Sequence, residues 1–450
     1  MLYASVNPFT NQELKNYPFG ALPDFDVCQN AFLEWRKKSI PERVECFERL
    51  HMMMTEQRTQ LAQLITTEMG KPLSEAVLEI KKSAGAIRYY IENASLFLEP
   101  RTVKTDALES YVSHEPLGLI FLIMPWNFPF WQVFRCAVPA VFAGNGILLK
   151  HAPNVPQCAA KIEELFLQSG FPDHLFSNHF LTNEDAALVI GDERIAGLSF
   201  TGSDSTGSHL ASLAGQHLKK SVMELGGNDP FVVFEDADIE NAVVAAIRSR
   251  SINGGQACNA AKRYIVVGSV ANDFIAGLIA GVKKLKVGDP MDPSTEIGPM
   301  ARRDLADKVK KQIEDSIREG AIAHFGMKVP AGNGNFVQPV VLTGVGPEIR
   351  SYREEVFGPV WSVVIVRSEE DAIRVANDSK YGLGVSIWTG NIHRVKKMIP
   401  LFETGNVFVN DFVKSDPALP FGGVKRSGYG RELSREGMME FVNQKTVYIR

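Results

Sequence analysis

Cys258 closes Gly254-Gly255-Gln256-Ala257-Cys258, a glycine-bounded loop between two regular-looking segments. A bend of small residues can hold a thiol open to a substrate, and a slightly deprotonated thiol is already a strong nucleophile. Its attack on an aldehyde gives a thiohemiacetal with a developing oxyanion, which wants fixed donors. Asn127, in Pro125-Trp126-Asn127-Phe128-Pro129, offers a side-chain amide, and the Cys258 backbone N–H offers a second donor. Glu224, in Met223-Glu224-Leu225-Gly226-Gly227, stands at a strand end. Half-burial there raises a carboxyl's pKa toward neutrality and suits it as a base for water. Each residue alone has a plainer reading: a small buried hydrophobe, a turn former between prolines, a surface glutamate. Together they point to covalent catalysis on a carbonyl.

A second group reads as a nucleotide site. Phe200-Thr201-Gly202-Ser203-Asp204-Ser205-Thr206-Gly207 follows a strand and opens a helix, whose free N–H groups can meet a phosphate. The spacing is GSxxxG, weaker than the usual dinucleotide fingerprint, and an ordinary capped βα turn is the alternative. Lys150 ends its strand where open sheets bind ligands, within reach of a ribose hydroxyl or a 2′-phosphate. His151, Ala152, Pro153 and Asn154 follow it, with no carboxylate to repel a 2′-phosphate.

These residues need a scaffold of alternating elements. Apolar positions recur at helical spacing over 39–69 and 72–98. Short aliphatic runs then predict buried strands at 118–123, 147–150, 175–181 and 197–201, with helices over 157–168 and from 203 to about 214. A second series starts near Asn228. Its strands are expected at 230–234, 263–267, 339–342 and 360–366, and its helices over 238–250, 274–282 and 304–319. Such alternation means parallel sheets with helices on their faces. The tail, 442–450, alternates and is β-rich; an exposed edge there favours pairing with a partner subunit, and an ordinary internal edge strand is the alternative.

Composition excludes several classes. Net charge is −4, with both signs interspersed, so nucleic-acid binding has no electrostatic footprint. Five widely spaced cysteines, Cys28, Cys46, Cys136, Cys158 and Cys258, argue against a disulfide framework and a structural metal site, and suit a reducing compartment. No secretory signal is visible, and the longest apolar stretch is broken by Pro125, Asn127, Pro129, Gln132 and Arg135, so a cytoplasmic protein without a membrane span is expected.

The chain resembles the NAD(P)-dependent aldehyde dehydrogenase superfamily across nearly its full length. The resemblance rests on Pro125-Trp126-Asn127-Phe128-Pro129, Leu148-Leu149-Lys150, Phe200-Thr201-Gly202-Ser203, Glu224-Leu225-Gly226-Gly227, Gly255-Gln256-Ala257-Cys258, Glu354-Glu355-Val356-Phe357-Gly358-Pro359 and Pro420-Phe421-Gly422-Gly423. It implies Cys258 as nucleophile, Glu224 as general base and Asn127 as oxyanion amide. It also implies that Glu355 and Phe357 position the nicotinamide half of NAD or NADP. Trp126, Ser203 and Leu225 would line the cofactor cleft, and Lys150 would bind the adenosine ribose. The implied α/β fold has a Rossmann-like cofactor domain (1–108 and 125–227, with 411–432 returning near it), a catalytic domain (228–410) and a small β oligomerisation arm (109–124 and 433–450), assembled as a homodimer or a dimer of dimers.

Within the family the chain is most similar to short bacterial succinate-semialdehyde dehydrogenases, through Asn127-Phe128-Pro129-Phe130-Trp131-Gln132-Val133-Phe134-Arg135, Lys150-His151-Ala152-Pro153-Asn154 and Ser415-Asp416-Pro417. That likeness implies a substrate tunnel in which Arg135 holds the far carboxylate of a short semialdehyde, with Ser415 as an added donor. Departures accompany it. Ser251 replaces a bulky residue and predicts a wider tunnel. Asn253 replaces a second carboxylate-reading arginine. Pro153 replaces the ribose-binding glutamate of NAD-specific relatives. Glutarate semialdehyde and uncharged aliphatic or aromatic aldehydes are alternative substrates. A CoA-acylating enzyme and a non-enzymatic binding protein on the same scaffold are the more distant readings.

Overall fold

Aliphatic runs closed by glycine and proline turns become strands buried on both faces, which is how parallel sheets sandwiched by helices are built. The computed structural model describes residues 3–450 and contains two such sheets. The first has six strands, in the order Gly428–Tyr429, Lys220–Glu224, Ile195–Thr201, Leu119–Met124, Gly146–His151, Phe176–Asn178. All its pairings are parallel except that of Gly428–Tyr429. The chain lays down Leu119–Met124, adds two strands on one side, then crosses back to build the other. This reversal leaves a crevice at the carboxyl ends of Leu119–Met124 and Ile195–Thr201, where Trp126 and Ser203 emerge.

The second sheet has seven strands, in the order Ile322–Phe325, Val340–Thr343, Val360–Val366, Arg263–Val267, Pro230–Val233, Gly384–Trp388, Asn406–Val409. Only its first strand runs antiparallel. Gly384–Trp388 and Asn406–Val409 are not among the strands expected from sequence. Each is short and contains residues of low strand preference, Gly384 and Asn406, so its apolar signal is brief.

The helical stretch expected over 39–69 is two helices, Ile40–Glu56 and Arg58–Met69, with the break at Gln57 (φ −84°, ψ 8°). Ser39 and Glu42 form a reciprocal capping box that starts the first. The long helix Leu73–Leu98 packs on Trp131–Phe142, which is buried on every face.

The arm differs from expectation at two points: Arg101–Thr102, expected in the cofactor domain, pairs with Glu109–Pro116, and Leu119–Met124 leaves the arm. Leu119–Met124, assigned by sequence to the arm, is instead a central strand of the six-stranded sheet, because its unbroken apolar run demands cover on both faces. The arm sheet consists of Val442–Ile449, Glu109–Pro116 and Arg101–Thr102. The C-terminal strand therefore finds a partner within its own chain, along eight residue pairs with Glu109–Pro116. Its outer edge has no strand beside it among the described residues.

Candidate active site

The nucleophile loop follows helix Ile239–Ser251 as a tight turn over Ile252–Gly255. Asn253, Gly254 and Gly255 all have left-handed backbone, with φ of 53°, 58° and 75°. A Cβ on Gly255 would lie 2.3 Å from the Gly358 carbonyl oxygen, so no side chain fits there. Three buried polar side chains lock the turn. Asn253 Nδ2 donates to the Asn127 carbonyl at 2.7 Å. Gln256 Nε2 donates to the Asn253 carbonyl at 3.0 Å, and its Oε1 accepts from Ala301 N at 3.0 Å. The Lys262 ammonium donates to the Ala257 carbonyl at 2.9 Å and to the carbonyl of Cys258 itself.

Cys258 is the one half-buried cysteine of the five; the other four are buried. Desolvation pushes its thiol up to about 11, against the pull of Arg135 and Lys262. The resting group is a neutral thiol that needs a base. Asn127 is buried, and its Nδ2 donates to the Gln256 carbonyl at 2.9 Å. That bond uses one amide hydrogen and orients the other for a ligand.

Glu224 ends strand Lys220–Glu224 and is 2% exposed. Neither of its carboxyl oxygens has a hydrogen-bond partner. Arg135 Nη2 is 3.9 Å away, and Arg135 Nε forms an ion pair with Glu432. Burial raises the Glu224 carboxyl well above the usual carboxylate range; Arg135 opposes this, and Glu432 adds to it. A Cβ on Gly422 would lie 2.8 Å from Glu224 Oε1, which explains a glycine in Pro420-Phe421-Gly422-Gly423.

Two cavities meet at the sulfur and share only Gln132 and Cys258 in their lining. The smaller, about 190 Å³, is walled by Phe128, Trp131, Phe412, Val413 and Phe421, with Lys82 and Ser415 among its polar groups. The larger, about 480 Å³, carries Trp126, Asn127, Ser203, Leu225, Glu355 and Phe357, all expected from sequence. Trp126 and Phe357 meet edge to face at 5.9 Å. Glu355 accepts from Gly227 N at 3.1 Å and faces Lys262 at 3.5 Å. Ser203 caps helix Asp204–Gln216, accepting from Thr206 N at 3.3 Å. Lys308, Arg353 and Lys380 also line this cleft. A helix N-terminus, the cations Lys308 and Arg353 beside an Asp204-paired Lys380, and an edge-to-face aromatic pair fit an anionic dinucleotide.

Lys150 is not brought to the cleft lining. It is buried at the end of Gly146–His151, its ammonium 5.8 Å from the Tyr3 ring centroid. Arg135 departs from its expected role. It borders the smaller cavity, but its guanidinium is taken up by Glu432 and Glu224 and it is 2% exposed. Two acids converge on it from distant strands and loops, which no local spacing reveals. Ser251 is absent from the chamber lining, where Ser249 and Ile252 stand. Asn253 leaves no gap for want of an arginine; it is a tie of the nucleophile loop. Lys82, Lys262 and Glu432 are not singled out by sequence. An asparagine before two glycines, as at Asn253, was the one available signal for a left-handed turn.

The sequence model of the Aldehyde dehydrogenase family matches residues 2–447. The chain is 43% identical to the probable succinate-semialdehyde dehydrogenase [NADP(+)] of Synechocystis sp., over all of both chains. It is 41% identical to the succinate semialdehyde dehydrogenase [NAD(P)+] of Escherichia coli, covering 99% of this chain and 97% of the other. The crystal structure of succinic semialdehyde dehydrogenase from Streptococcus pyogenes, in complex with NADP+, superposes with a TM-score of 0.95 at 36% identity, covering 99% of each chain. On a family match spanning almost every residue, and a thiol and an amide lining one cleft while Glu224 lies buried outside both cavities, this chain belongs to the aldehyde dehydrogenase family.

Proposed function

We propose that this aldehyde dehydrogenase oxidises succinate semialdehyde to succinate with NAD or NADP. The observation that carries the reading is the position of Cys258 Sγ, on the boundary between a small chamber and the larger cleft. The names of the relatives support the substrate, and the cation-lined cleft supports the coenzyme.

The aldehyde enters the smaller chamber and Cys258 Sγ adds to its carbonyl carbon. The thiol proton passes to Glu224 as general base. The oxyanion takes the free Nδ2–H of Asn127 and the Cys258 N–H. When bound, the nicotinamide supplies the acceptor for the hydride that leaves the thiohemiacetal carbon. Glu355 and Phe357 hold that half of the coenzyme, and Trp126, Ser203 and Leu225 the rest of the cleft. The acyl group remains on sulfur as a thioester. Glu224 gives the first proton up to solvent and then takes one from water; the hydroxyl adds to the acyl carbon, and the acid departs as Glu224 returns its proton to the leaving sulfur. The six-stranded unit serves as the cofactor part and the seven-stranded unit as the catalytic part. The arm joins subunits into a homodimer or a dimer of dimers.

Uncharged aliphatic aldehydes form the second reading, favoured by the aromatic chamber walls and by the engagement of Arg135 with Glu432. Steady-state rates on succinate semialdehyde and butanal, each with both coenzymes, decide between them. A higher kcat/KM for the carboxylated aldehyde supports the proposal. Equal values, or a preference for butanal, transfer the conclusion to the second reading.

A further inference from the structure

Lys262 is an unusual lysine. It is 1% exposed, and it lines neither the small chamber nor the larger cleft. An ammonium taken out of water is costly and persists only where acceptors surround it. Its Nζ donates to the Ala257 carbonyl at 2.9 Å and to the Cys258 carbonyl, and Glu355 Oε1 lies 3.5 Å away. Burial pushes the ammonium down from its ordinary pKa, while Glu355 and Asp229 pull it back up. The main chain fixes the base of the side chain, since Lys262 N donates to the Asp229 carbonyl at 2.9 Å. The Cys258 carbonyl is closely packed as well: a Cβ on Gly227 would lie 2.8 Å from its oxygen.

The Ala257 carbonyl and the Cys258 N–H are two ends of one peptide group. A cation on the oxygen draws electron density away from the nitrogen and makes the N–H a stronger donor, as in other linked hydrogen bonds of a low-dielectric interior. That N–H is one of the two donors offered to the oxyanion. We infer that Lys262 is a positioning residue for the reaction, acting through the Ala257–Cys258 peptide to strengthen the backbone donor that receives the oxyanion. The inference rests on Cys258 as the nucleophile and not on which aldehyde is oxidised. A tie for the loop needs no charge, because Asn253 and Gln256 fasten the same turn with neutral amides. The charge has its largest effect once negative charge gathers on the substrate oxygen, so it lowers the barrier more than it tightens binding.

Two reactions of the full-length enzyme without coenzyme separate this role from a merely structural one. p-Nitrophenyl acetate acylates the sulfur: the S–C bond forms, an oxyanion develops on the carbonyl oxygen, and p-nitrophenolate leaves with the C–O bonding pair. Iodoacetamide alkylates the same sulfur by displacing iodide, and no oxyanion forms. Both need the thiolate, so the ratio of their rate constants at one pH cancels any change in ionisation of the thiol. Lys262→Met should lower the ratio of acylation to alkylation by about 10-fold, a fraction of the loss of about 10²–10³-fold that follows removal of an oxyanion donor. Lys262→Gln should lower it by about 3-fold, since a neutral donor is roughly half as strong as a charged one. Circular dichroism checks the fold of each variant, and Lys262→Gln decides alone if Lys262→Met does not fold. An unchanged ratio in a folded variant overturns the inference, whether both rates hold or both fall together, the second being the mark of a displaced loop. Peptide mass mapping of the acetylated native enzyme distinguishes the two levels of failure. Acetyl on Cys258 with an unchanged ratio in the variants removes Lys262 alone, whereas acetyl only on other residues removes the nucleophile and this inference with it.

Discussion

Burial pushes the thiol at position 258 up to about 11, and Glu224 and Glu432 share the Arg135 guanidinium. Cys258→Ala should reduce turnover to below about one part in 10⁴ of the native rate, measured as nicotinamide reduction, while leaving the circular dichroism spectrum intact. The reactivity of the native thiol should carry the mark of burial. Thiolate forms as pH rises, so iodoacetamide labelling of the coenzyme-free enzyme should accelerate about tenfold per pH unit and keep rising past pH ~8.5, where free cysteine levels off. The expected midpoint is about 11. A plateau near neutrality would mean that Arg135 and Lys262 outweigh desolvation. Glu224→Gln keeps the shape of the carboxyl but cannot accept a proton. It should slow steady-state turnover by about 10²–10⁴-fold, in line with the loss of a general base. At this scale the sequence was most legible where chemistry demands a fixed residue type. Cys258, Asn127 and the lining residues Trp126, Ser203, Leu225, Glu355 and Phe357 stand around the two cavities as expected. The pairing of Arg135 with Glu432 was not legible, because Glu432 lies 297 positions away in the chain and charge neutralisation over that separation has no sequence periodicity.

Helix Trp131–Phe142 has no capping side chain of its own, and Glu79 of helix Leu73–Leu98 does that work. Its Oε1 accepts from Phe130 N at 2.9 Å and Trp131 N at 3.1 Å, while Oε2 takes Lys71 Nζ at 2.5 Å. Carboxylate, ammonium and helix N-terminus are all out of water, so removing one strands the others. Glu79→Ala should cost about 3–5 kcal/mol in urea unfolding, because Lys71 is left buried and unpaired. It should also raise KM for the aldehyde, since Trp131 walls the chamber. Replacing both partners with apolar residues should recover much of the stability but not the KM. Strands read as uninterrupted aliphatic runs, such as 263–267 and 360–366, match the sequence expectation in full. Gly384–Trp388 and Asn406–Val409 did not announce themselves because their apolar signal is brief, whereas Ile195–Thr201 and Phe176–Asn178 read as strands despite Gly197 and Asn178.

In the whole molecule, the arm strand Val442–Ile449 shows backbone groups along one side and exposed Tyr448 and Ile449 on its faces. Such an edge invites another copy of the chain. Deleting 442–450 should lower the mass measured by light scattering coupled to gel filtration, and a truncated protein of unchanged mass would show that assembly uses another surface. The alternation of strands and helices made both sheets foreseeable in kind; the reach of the arm was not, because an apolar run such as 119–124 looks the same at a sheet's centre and at its margin. The two cavities that touch only at Gln132 and Cys258 have a consequence for poisoning of the enzyme. A small electrophile reaches the sulfur by the aldehyde's own route, so saturation with coenzyme gives no shelter from it. Shelter has to come from the aldehyde chamber itself, so a molecule lodged there guards the sulfur where coenzyme does not.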